Sequence, residues 1–227
     1  MIGALGEGLL EVGVHPGLDA GTLVRGYGGD AANAAVMAAL LGAEARLLTR
    51  IGGDAAGRLL LEFWREAGVD VSAVGVDAGA STGVYLNERD LRGNHRFSYH
   101  RAGSAATALA ADDVTDETVA GLDALHLTGI TLSISASARA AAEQAADRAA
   151  RAGARLSFTV NFRAALRPDR AALGAMARRA DLVFLSTDDA RALLGVDEPR
   201  AVARALAPAR EIVLTDGPAP AVVLVDG

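Results

Sequence analysis

The sequence predicts an α/β protein with a mainly parallel sheet that helices cover on both faces. Short apolar runs alternate with longer helix-like segments along the 227 residues, which is typical of consecutive β-α-β units. Hydrophobic residues make up 51% of the chain but aromatic residues only 4%, so the core must consist of small aliphatic side chains. Such a core suits helices on a buried parallel sheet better than an aromatic-rich β-sandwich.

The individual elements follow from apolar runs and capping residues. Strands are predicted at residues 1–5, 45–51, 122–128, 156–161, 182–185 and 212–215. The clearest helices between them are predicted at residues 30–41, 54–66 and 135–151. We expect Asp30 and Asp54 to cap the first two of these helices, because a carboxylate accepts hydrogen bonds from free helical N–H groups. Gly68 is expected to end the second helix.

Two stretches, at about residues 12–27 and 82–101, lack helical periodicity and are expected to form a separate small sheet. The alternation of Val84 and Leu86 with Phe97 and Tyr99 around a polar turn predicts a β-hairpin. Because this hairpin lies between two α/β blocks, we expect it to act as a lid over a ligand. Residues 1–227 are predicted to form a single domain, which we expect to be incomplete at its C-terminus because it ends in an apolar run.

The composition excludes several chemistries. The chain contains no cysteine and no lysine, and all 22 basic residues are arginine, which excludes thiolate chemistry, a Walker A phosphate loop and Schiff-base catalysis. A net charge of −6 argues against nucleic acid as a partner. No apolar run is long enough to span a bilayer, and no signal peptide is evident. We therefore expect a cytoplasmic protein that does not bind a membrane.

A glycine pair precedes the first predicted helix, in the run Gly28-Gly-Asp-Ala-Ala-Asn33. Two glycines let a ligand approach the backbone closely, and the helix N-terminus directs free N–H groups towards it. Asn33 adds a side chain that both donates and accepts, which suits sugar hydroxyls. A capped helix after an ordinary glycine turn is the alternative interpretation of this motif.

This run resembles the N-terminal signature of the PfkB (ribokinase-like) carbohydrate kinase family. The positions in register are Gly28, Gly29, Asn33, Ala35, Gly42 and Gly52. Within the family, the opening Gly6-Glu7 and the run from Arg96 to Ala106 are most similar to 2-keto-3-deoxygluconate kinases. The resemblance implies a ribokinase-like fold and transfer of the ATP γ-phosphoryl group to a sugar or sugar acid, with Mg²⁺ as cofactor.

The resemblance also implies a substrate site, formed by Gly28, Gly29, Asp30, Asn33, Tyr85, Tyr99, Arg101 and Arg163. A guanidinium binds a carboxylate through two hydrogen bonds, so Arg101 and Arg163 suit a 2-keto acid. Tyr99 and Arg101 are two residues apart on a predicted strand and would point to one face. The alternative is an exposed arginine beside two tyrosines that pack on the lid, and we expect an exposed Arg101 to contribute little to folding.

On the nucleotide side, the resemblance implies that Asn161 lies near the phosphates and that Ser186, Thr215 and Gly217 contact the nucleotide. Asp189 would hold Mg²⁺ through water, since magnesium retains several waters in most sites. A simple helix cap by Ser186 is the alternative. Thr159 replaces the aspartate of the family, and Pro218 with Pro220 replaces a flexible turn.

The catalytic base of the family is an aspartate in a Gly-Ala-Gly-Asp helix start, and this motif does not occur in residues 1–227. We therefore assign no catalytic residue, expect the base beyond Gly227, and expect the 227-residue chain alone to be inactive. The alternatives are a kinase for fructose, ribose or a nucleoside, and a non-catalytic sugar-binding or dimerising module. A dinucleotide-binding dehydrogenase fits poorly, because Glu11 replaces the third glycine of that fingerprint. We also expect a homodimer that pairs through the lid.

Overall fold

The structure is a computed structural model that describes residues 1–14 and 22–225. Residues 15–21 of the first predicted lid segment, including His15, lie outside the described residues, as does Gly227. Among the described helices, none is long and apolar enough to cross a membrane.

Twelve strands and eight α-helices are seen in the described residues. The strands are β1 (Ile2–Leu5), β2 (Leu9–Val14), β3 (Val24–Gly28), β4 (Ala45–Gly52), β5 (Val74–Asp77), β6 (Val84–Arg89), β7 (His95–His100), β8 (Ala124–Thr128), β9 (Arg155–Thr159), β10 (Leu182–Ser186), β11 (Glu211–Asp216) and β12 (Ala219–Val225). The helices are α1 (Asp30–Leu40), α2 (Ala55–Glu66), α3 (Asp116–Val119), α4 (Thr131–Ile134), α5 (Ala136–Arg151), α6 (Arg170–Arg179), α7 (Thr187–Leu194) and α8 (Pro199–Leu206).

The main sheet has eight strands in the order β12-β11-β10-β9-β8-β1-β4-β5. Its strands are parallel except for β12, which runs antiparallel to β11. Two hydrophobic clusters pack on it. Leu5 and Leu48 belong to the larger cluster, whereas Ala4 and Leu47 belong to the smaller one. Because successive residues of a strand point to opposite faces, the sheet is covered on both faces, which confirms the predicted fold class.

A second sheet of four strands, in the order β3-β2-β6-β7, forms the predicted lid. Strands β6 and β7 are the predicted hairpin, and Tyr85 lies directly opposite Tyr99 in its register. The two rings are 5.6 Å apart between centroids. Two strands of this sheet have bounds that differ from the prediction. Strand β2 begins at Leu9, before the predicted start, and β7 ends at His100, so Arg101 follows the strand.

The helix caps were predicted in part. Asp54 accepts a hydrogen bond from the Gly57 N–H and another from the Thr82 N–H, both at 2.8 Å, which confirms it as a cap and also ties α2 to the segment before β6. Asp30 is the first residue of α1 and not its cap, because Gly29 occupies the cap position. Gly68 follows α2 in a left-handed conformation, with φ of 83°, as predicted.

The sequence analysis missed strand β5, and for β12 it predicted an apolar, β-like run without its bounds or its pairing. Strand β5 is short and half exposed, with Val76 59% exposed, so it carries no continuous apolar run. The apolar segment near the end of the chain is β12, which turns back at Gly217 and pairs with β11. Such edge strands depend on pairing with a neighbour, which local sequence does not report.

Candidate active site

A cavity of about 300 Å³ lies where strands of the main sheet end and the lid begins. Glu7, Ile130 and Asn161 enter it from segments that follow β1, β8 and β9, and the carboxyl ends of parallel strands meet at one edge of a sheet, where ligands bind in open α/β folds. Its lining consists of Glu7, Leu9, Gly28, Gly29, Asp30, Asn33, Tyr85, Phe97, Tyr99, Arg101, Ile130, Asn161, Arg163, Ala165 and Leu166.

The eight residues that the sequence assigned to the substrate all line this cavity. They come from β3, the cap position before α1, α1 itself, the hairpin β6–β7 and the segments after β7 and β9. Asn161, which the sequence assigned to the nucleotide side, lines the same cavity. Asn161 therefore lies apart from Ser186, Thr215 and Gly217, none of which lines this cavity.

The glycine pair brings two backbone segments unusually close. Gly29 has a φ of 101°, and a Cβ atom there would lie 2.2 Å from the Glu7 carbonyl oxygen. A Cβ atom on Gly28 would lie 2.6 Å from the hydroxyl oxygen of Tyr85. Only glycine fits both positions, because any side chain would collide with the loop after β1 or with the lid.

Asp30 connects the start of α1 to the end of β9. One carboxylate oxygen accepts a hydrogen bond from the Ala31 N–H at 2.8 Å, and the other accepts from the Asn161 side-chain amide at 3.2 Å. Asn161 has a φ of 40°, a left-handed conformation that asparagine tolerates better than most residues. The pair therefore fixes a donor and an acceptor side by side in the cavity wall, as sugar hydroxyls require.

Arg101 is paired and largely buried, which corrects the expectation of an exposed arginine. Its side chain is 13% exposed and forms an ion pair with Glu7, which is itself 1% exposed. The guanidinium carbon lies 4.7 Å from the ring centroid of Tyr99. Burial raises the pKa of Glu7 to about 7, although Arg101 lowers it, and the nearby Asp30 raises it further. The cavity thus contains a carboxyl group that titrates near neutral pH.

A hydrogen-bond network on the lid holds Tyr85. The Tyr85 hydroxyl donates to Glu11, whose other oxygen accepts from the Asn87 amide at 2.7 Å. The Asn87 carbonyl oxygen lies 2.8 Å from His95 Nδ1. Burial, together with the hydrogen bond and the charge of Glu11, raises the pKa of Tyr85 well above its usual range. Tyr85 is therefore a neutral hydroxyl of fixed orientation.

Glu7 and Glu11 were not assigned to the site from the sequence. A usable signal for Glu7 was its place directly after β1, because residues that follow a parallel strand point into the ligand crevice. No such signal marked Glu11, because its hydrogen bond with Tyr85 requires β2 to pair with β6.

A second set of predicted residues lies at the ends of β10 and β11. Ser186 caps α7 by accepting from the Asp189 N–H at 3.0 Å. Asp189 accepts from the Phe162 N–H at 2.8 Å and from the Ser186 N–H at 3.1 Å. The helix cap that the sequence offered as an alternative is therefore present. Residues 1–14 and 22–225 contain no group of three or more potential metal-ligating side chains.

A second cavity, of about 380 Å³, adjoins these strand ends. The Thr187 hydroxyl donates to the Asp216 carboxylate at 2.8 Å, and both residues line it. Pro220 and Val222 of β12 lie on another wall. Thr215 and Gly217 do not line it, although Asp216 between them does. Asp216 and Thr187 were not assigned from the sequence, because their meeting requires β10 and β11 to be neighbours.

The parallel sheet, the separate four-stranded sheet and the cavity between them define a ribokinase-like fold. The chain belongs to the pfkB family of carbohydrate kinases, whose sequence model matches residues 13–227.

Several relatives are similar over most of the chain. A 2-dehydro-3-deoxygluconokinase of Thermoproteus tenax is 38% identical over 86% of this chain and 62% of its own length. Fructokinase-1 of Zea mays is 31% identical over 79% of this chain and 56% of its own length. The chain therefore spans about three fifths of the length of these curated relatives.

Solved structures show the same fold. The crystal structure of a PfkB protein from Polaromonas sp. JS666 superposes with a TM-score of 0.92 and 30% identity, over 99% of this chain and 79% of that one. The fructokinase from Xylella fastidiosa with bound ATP superposes with a TM-score of 0.88 and 26% identity, over 99% of this chain and 74% of that one.

Proposed function

We propose that the protein phosphorylates a sugar acid with ATP, and that the substrate is 2-keto-3-deoxygluconate. The observation that carries this proposal is that two arginines, Arg101 and Arg163, line one small cavity with Tyr85 and Tyr99. A guanidinium binds a carboxylate through two parallel hydrogen bonds. The name of the Thermoproteus tenax relative supports the same substrate.

The remaining cavity residues suit the hydroxyl groups of that substrate. In this proposal Asp30, Asn33 and Asn161 exchange hydrogen bonds with sugar hydroxyls, while the Gly28-Gly29 turn lets the sugar approach the backbone. In this proposal the rings of Tyr85 and Tyr99 exclude water from the sugar. Exclusion of water strengthens each of these contacts, because charges and dipoles interact more strongly at a low dielectric constant.

The nucleotide-side residues fit ATP with Mg²⁺ in part. Magnesium at phosphates requires only one or two carboxylates and otherwise keeps water. Asp189 has lone pairs left after its two backbone hydrogen bonds, and Asp216 lines the adjacent cavity. Bound ATP would supply the phosphoryl group, and its magnesium ion would neutralise part of the phosphate charge. We propose that Ser186, Thr215, Gly217 and Asp189 hold the nucleotide and its metal, and that the sugar side orients the acceptor hydroxyl.

A kinase for a neutral sugar is the alternative. Fructokinases are among the relatives, and Glu7 already neutralises Arg101 in the cavity. An ADP-release assay on the full-length protein with 2-keto-3-deoxygluconate, gluconate, fructose, ribose and adenosine distinguishes the two. We expect the highest kcat/KM for the keto acid. If fructose or ribose exceeds both acids, the acid substrate is wrong and the sugar-kinase activity stands.

A sugar-binding module without catalysis is the second alternative from the sequence. The cavity residues described above all lie within residues 1–227, which is what such a module requires. Calorimetry separates it from the kinase, since the module would bind sugar without binding or consuming ATP. For either function we propose a homodimer through the lid, because β3 and β7 are edge strands within the described residues and exposed edges favour pairing.

A further inference from the structure

A charged pair occupies the part of the cavity wall where a bound acid would lie. Glu7 is 1% exposed, and its Oε1 accepts a hydrogen bond from a guanidinium nitrogen of Arg101. Both residues line the cavity. A carboxylate that binds Arg101 must therefore approach a guanidinium that already has an anionic partner.

Only one of the two carboxylate oxygens of Glu7 has a hydrogen-bond partner among the described residues. Its Oε2 atom is fully buried and has no hydrogen-bond partner among the described residues. A buried ionised oxygen without a partner is costly, and a proton on Glu7 removes the charge that makes it so. Burial, opposed by Arg101 and assisted by Asp30, raises the pKa of Glu7 to about 7, so this proton is accessible near neutral pH.

The other charged and titratable groups around the cavity do not replace Glu7 as the group that exchanges a proton near neutral pH. Asp30 is held by two hydrogen bonds, and the Tyr85 hydroxyl donates to Glu11. Burial lowers the pKa of His126, although Asp30 opposes this, so that its imidazole is neutral at neutral pH. The remaining groups that line the cavity are Tyr99 and Arg163.

We propose that Glu7 is an internal counter-ion of Arg101, and that a substrate carboxylate displaces it from the guanidinium while Glu7 takes up one proton from solvent. This inference rests on the proposed sugar-acid substrate. The charge of the cavity is then the same before and after binding, because the anion that arrives is balanced by the proton that is gained. A neutral sugar leaves the pair intact and takes up no proton. Glu7 thereby acts as a specificity-determining residue that couples acid binding to pH.

The sign of the pH dependence follows from linkage. Below pH 7 Glu7 is protonated and Arg101 is available to the acid, whereas above pH 7 the acid must compete with an ionised carboxylate. The dissociation constant of 2-keto-3-deoxygluconate should therefore rise by at least about tenfold between pH 6.5 and pH 8.5. The dissociation constant of fructose, the neutral probe, should stay constant over this range.

The experiment is isothermal titration calorimetry on the full-length protein, at several pH values and in buffers of different ionisation enthalpy. For the wild type at pH 8 we expect uptake of close to one proton per 2-keto-3-deoxygluconate bound and none per fructose. Glu7→Gln mimics the protonated side chain, so its affinity for the acid should be independent of pH and higher than that of the wild type at pH 8.5. Glu143→Gln removes an exposed carboxylate on α5 and should behave as the wild type.

Two results would overturn the coupling while leaving the acid substrate in place. One is acid binding by the wild type without proton uptake. The other is a Glu7→Gln variant that keeps the pH slope of the wild type, or that binds the acid more weakly at every pH, as a purely structural residue would. Should Glu7→Gln not fold, Glu7→Asp retains the titrating group and should retain a pH slope. Absence of any binding of the acid would instead refute the proposed substrate.

Discussion

The lid side and the β10–β11 side of the carboxyl edge of the main sheet differ in how far their polar groups are already satisfied. On the lid side, Glu7 keeps a buried oxygen that has no hydrogen-bond partner among the described residues, and Arg101 and Arg163 both line a cavity of about 300 Å³. On the side of β10 and β11, both oxygens of Asp189 accept backbone hydrogen bonds and Ser186 caps a helix.

The difference indicates where this edge is incomplete without a ligand. The lid-side cavity retains a buried polar atom without a partner among the described residues, which is uncommon outside functional sites. Ser186 and Asp189 stabilise the fold by themselves, because a helix cap contributes about 1 kcal/mol whether or not a ligand is present. Mutations should therefore affect ligand binding most on the lid side.

Arg101→Ala should have the largest effect. In the full-length enzyme it removes a charge-assisted contact of roughly 1.5–3 kcal/mol, which lowers kcat/KM for the acid substrate by about 10- to 150-fold. The structure adds a cost in stability, because Glu7 loses its counter-ion. This loss should be up to about 2 kcal/mol larger at pH 8.5 than at pH 7 or below, because the absence of Arg101 raises the pKa of Glu7 further and the side chain must take up a proton at the higher pH.

Urea unfolding at the two pH values measures this cost in stability. Arg155→Ala is the matched control, since Arg155 is 57% exposed and pairs with Glu211 outside the cavity, and exposed pairs contribute at most about 1 kcal/mol. An equal loss of kcat/KM for acid and neutral substrates would mean that Arg101 supports the lid and does not contact a carboxylate.

Gly29→Ala tests the close approach of the two backbone segments. The new Cβ atom would lie 2.2 Å from the Glu7 carbonyl oxygen at a φ of 101°, so the free energy of unfolding should fall by about 2–4 kcal/mol. Affinity for acid and neutral sugars should fall together, because the turn shifts for both.

Gly42→Ala separates collision from backbone strain. Gly42 has a φ of 90°, and its new Cβ atom would meet nothing within 4 Å, so only about 1 kcal/mol of strain is expected. Thermal unfolding of the two variants gives the difference directly. Equal losses would show that the loop after β1 yields to the extra atom.

Ser186→Ala should have the smallest effect. It tests the β10–β11 side of the sheet edge, where Ser186 caps α7. Loss of the cap should cost about 1 kcal/mol. If Ser186 also contacts the nucleotide, the KM for ATP should rise by about threefold or more. Ser135→Ala removes the equivalent cap of α5, where the hydroxyl accepts from the Ala138 N–H at 3.0 Å, and should leave the KM for ATP unchanged. If the KM for ATP is unchanged in both variants, Ser186 is only a helix cap and does not contact the nucleotide.

Local sequence predicted most of the architecture. The main strands, the cap at Asp54 and the hairpin of the lid follow from hydrophobic periodicity, capping chemistry and turn residues, which act over a few positions. The short edge strand β5 did not follow, and neither did the pairing of β12 with β11, because edge pairing depends on a partner that is distant or follows a turn.

The sequence by itself determined the α/β class, the glycine turn before α1 and a set of candidate site residues that all meet in one cavity. Only the tertiary structure decided the charge state of that cavity. Glu7 and Arg101 are 94 positions apart, and Asp30 and Asn161 are 131 positions apart. A pKa depends on burial and on the charges nearby, and both arise from contacts between distant segments. The sequence therefore located the arginine, whereas the fold buried it beside a carboxylate that titrates near pH 7.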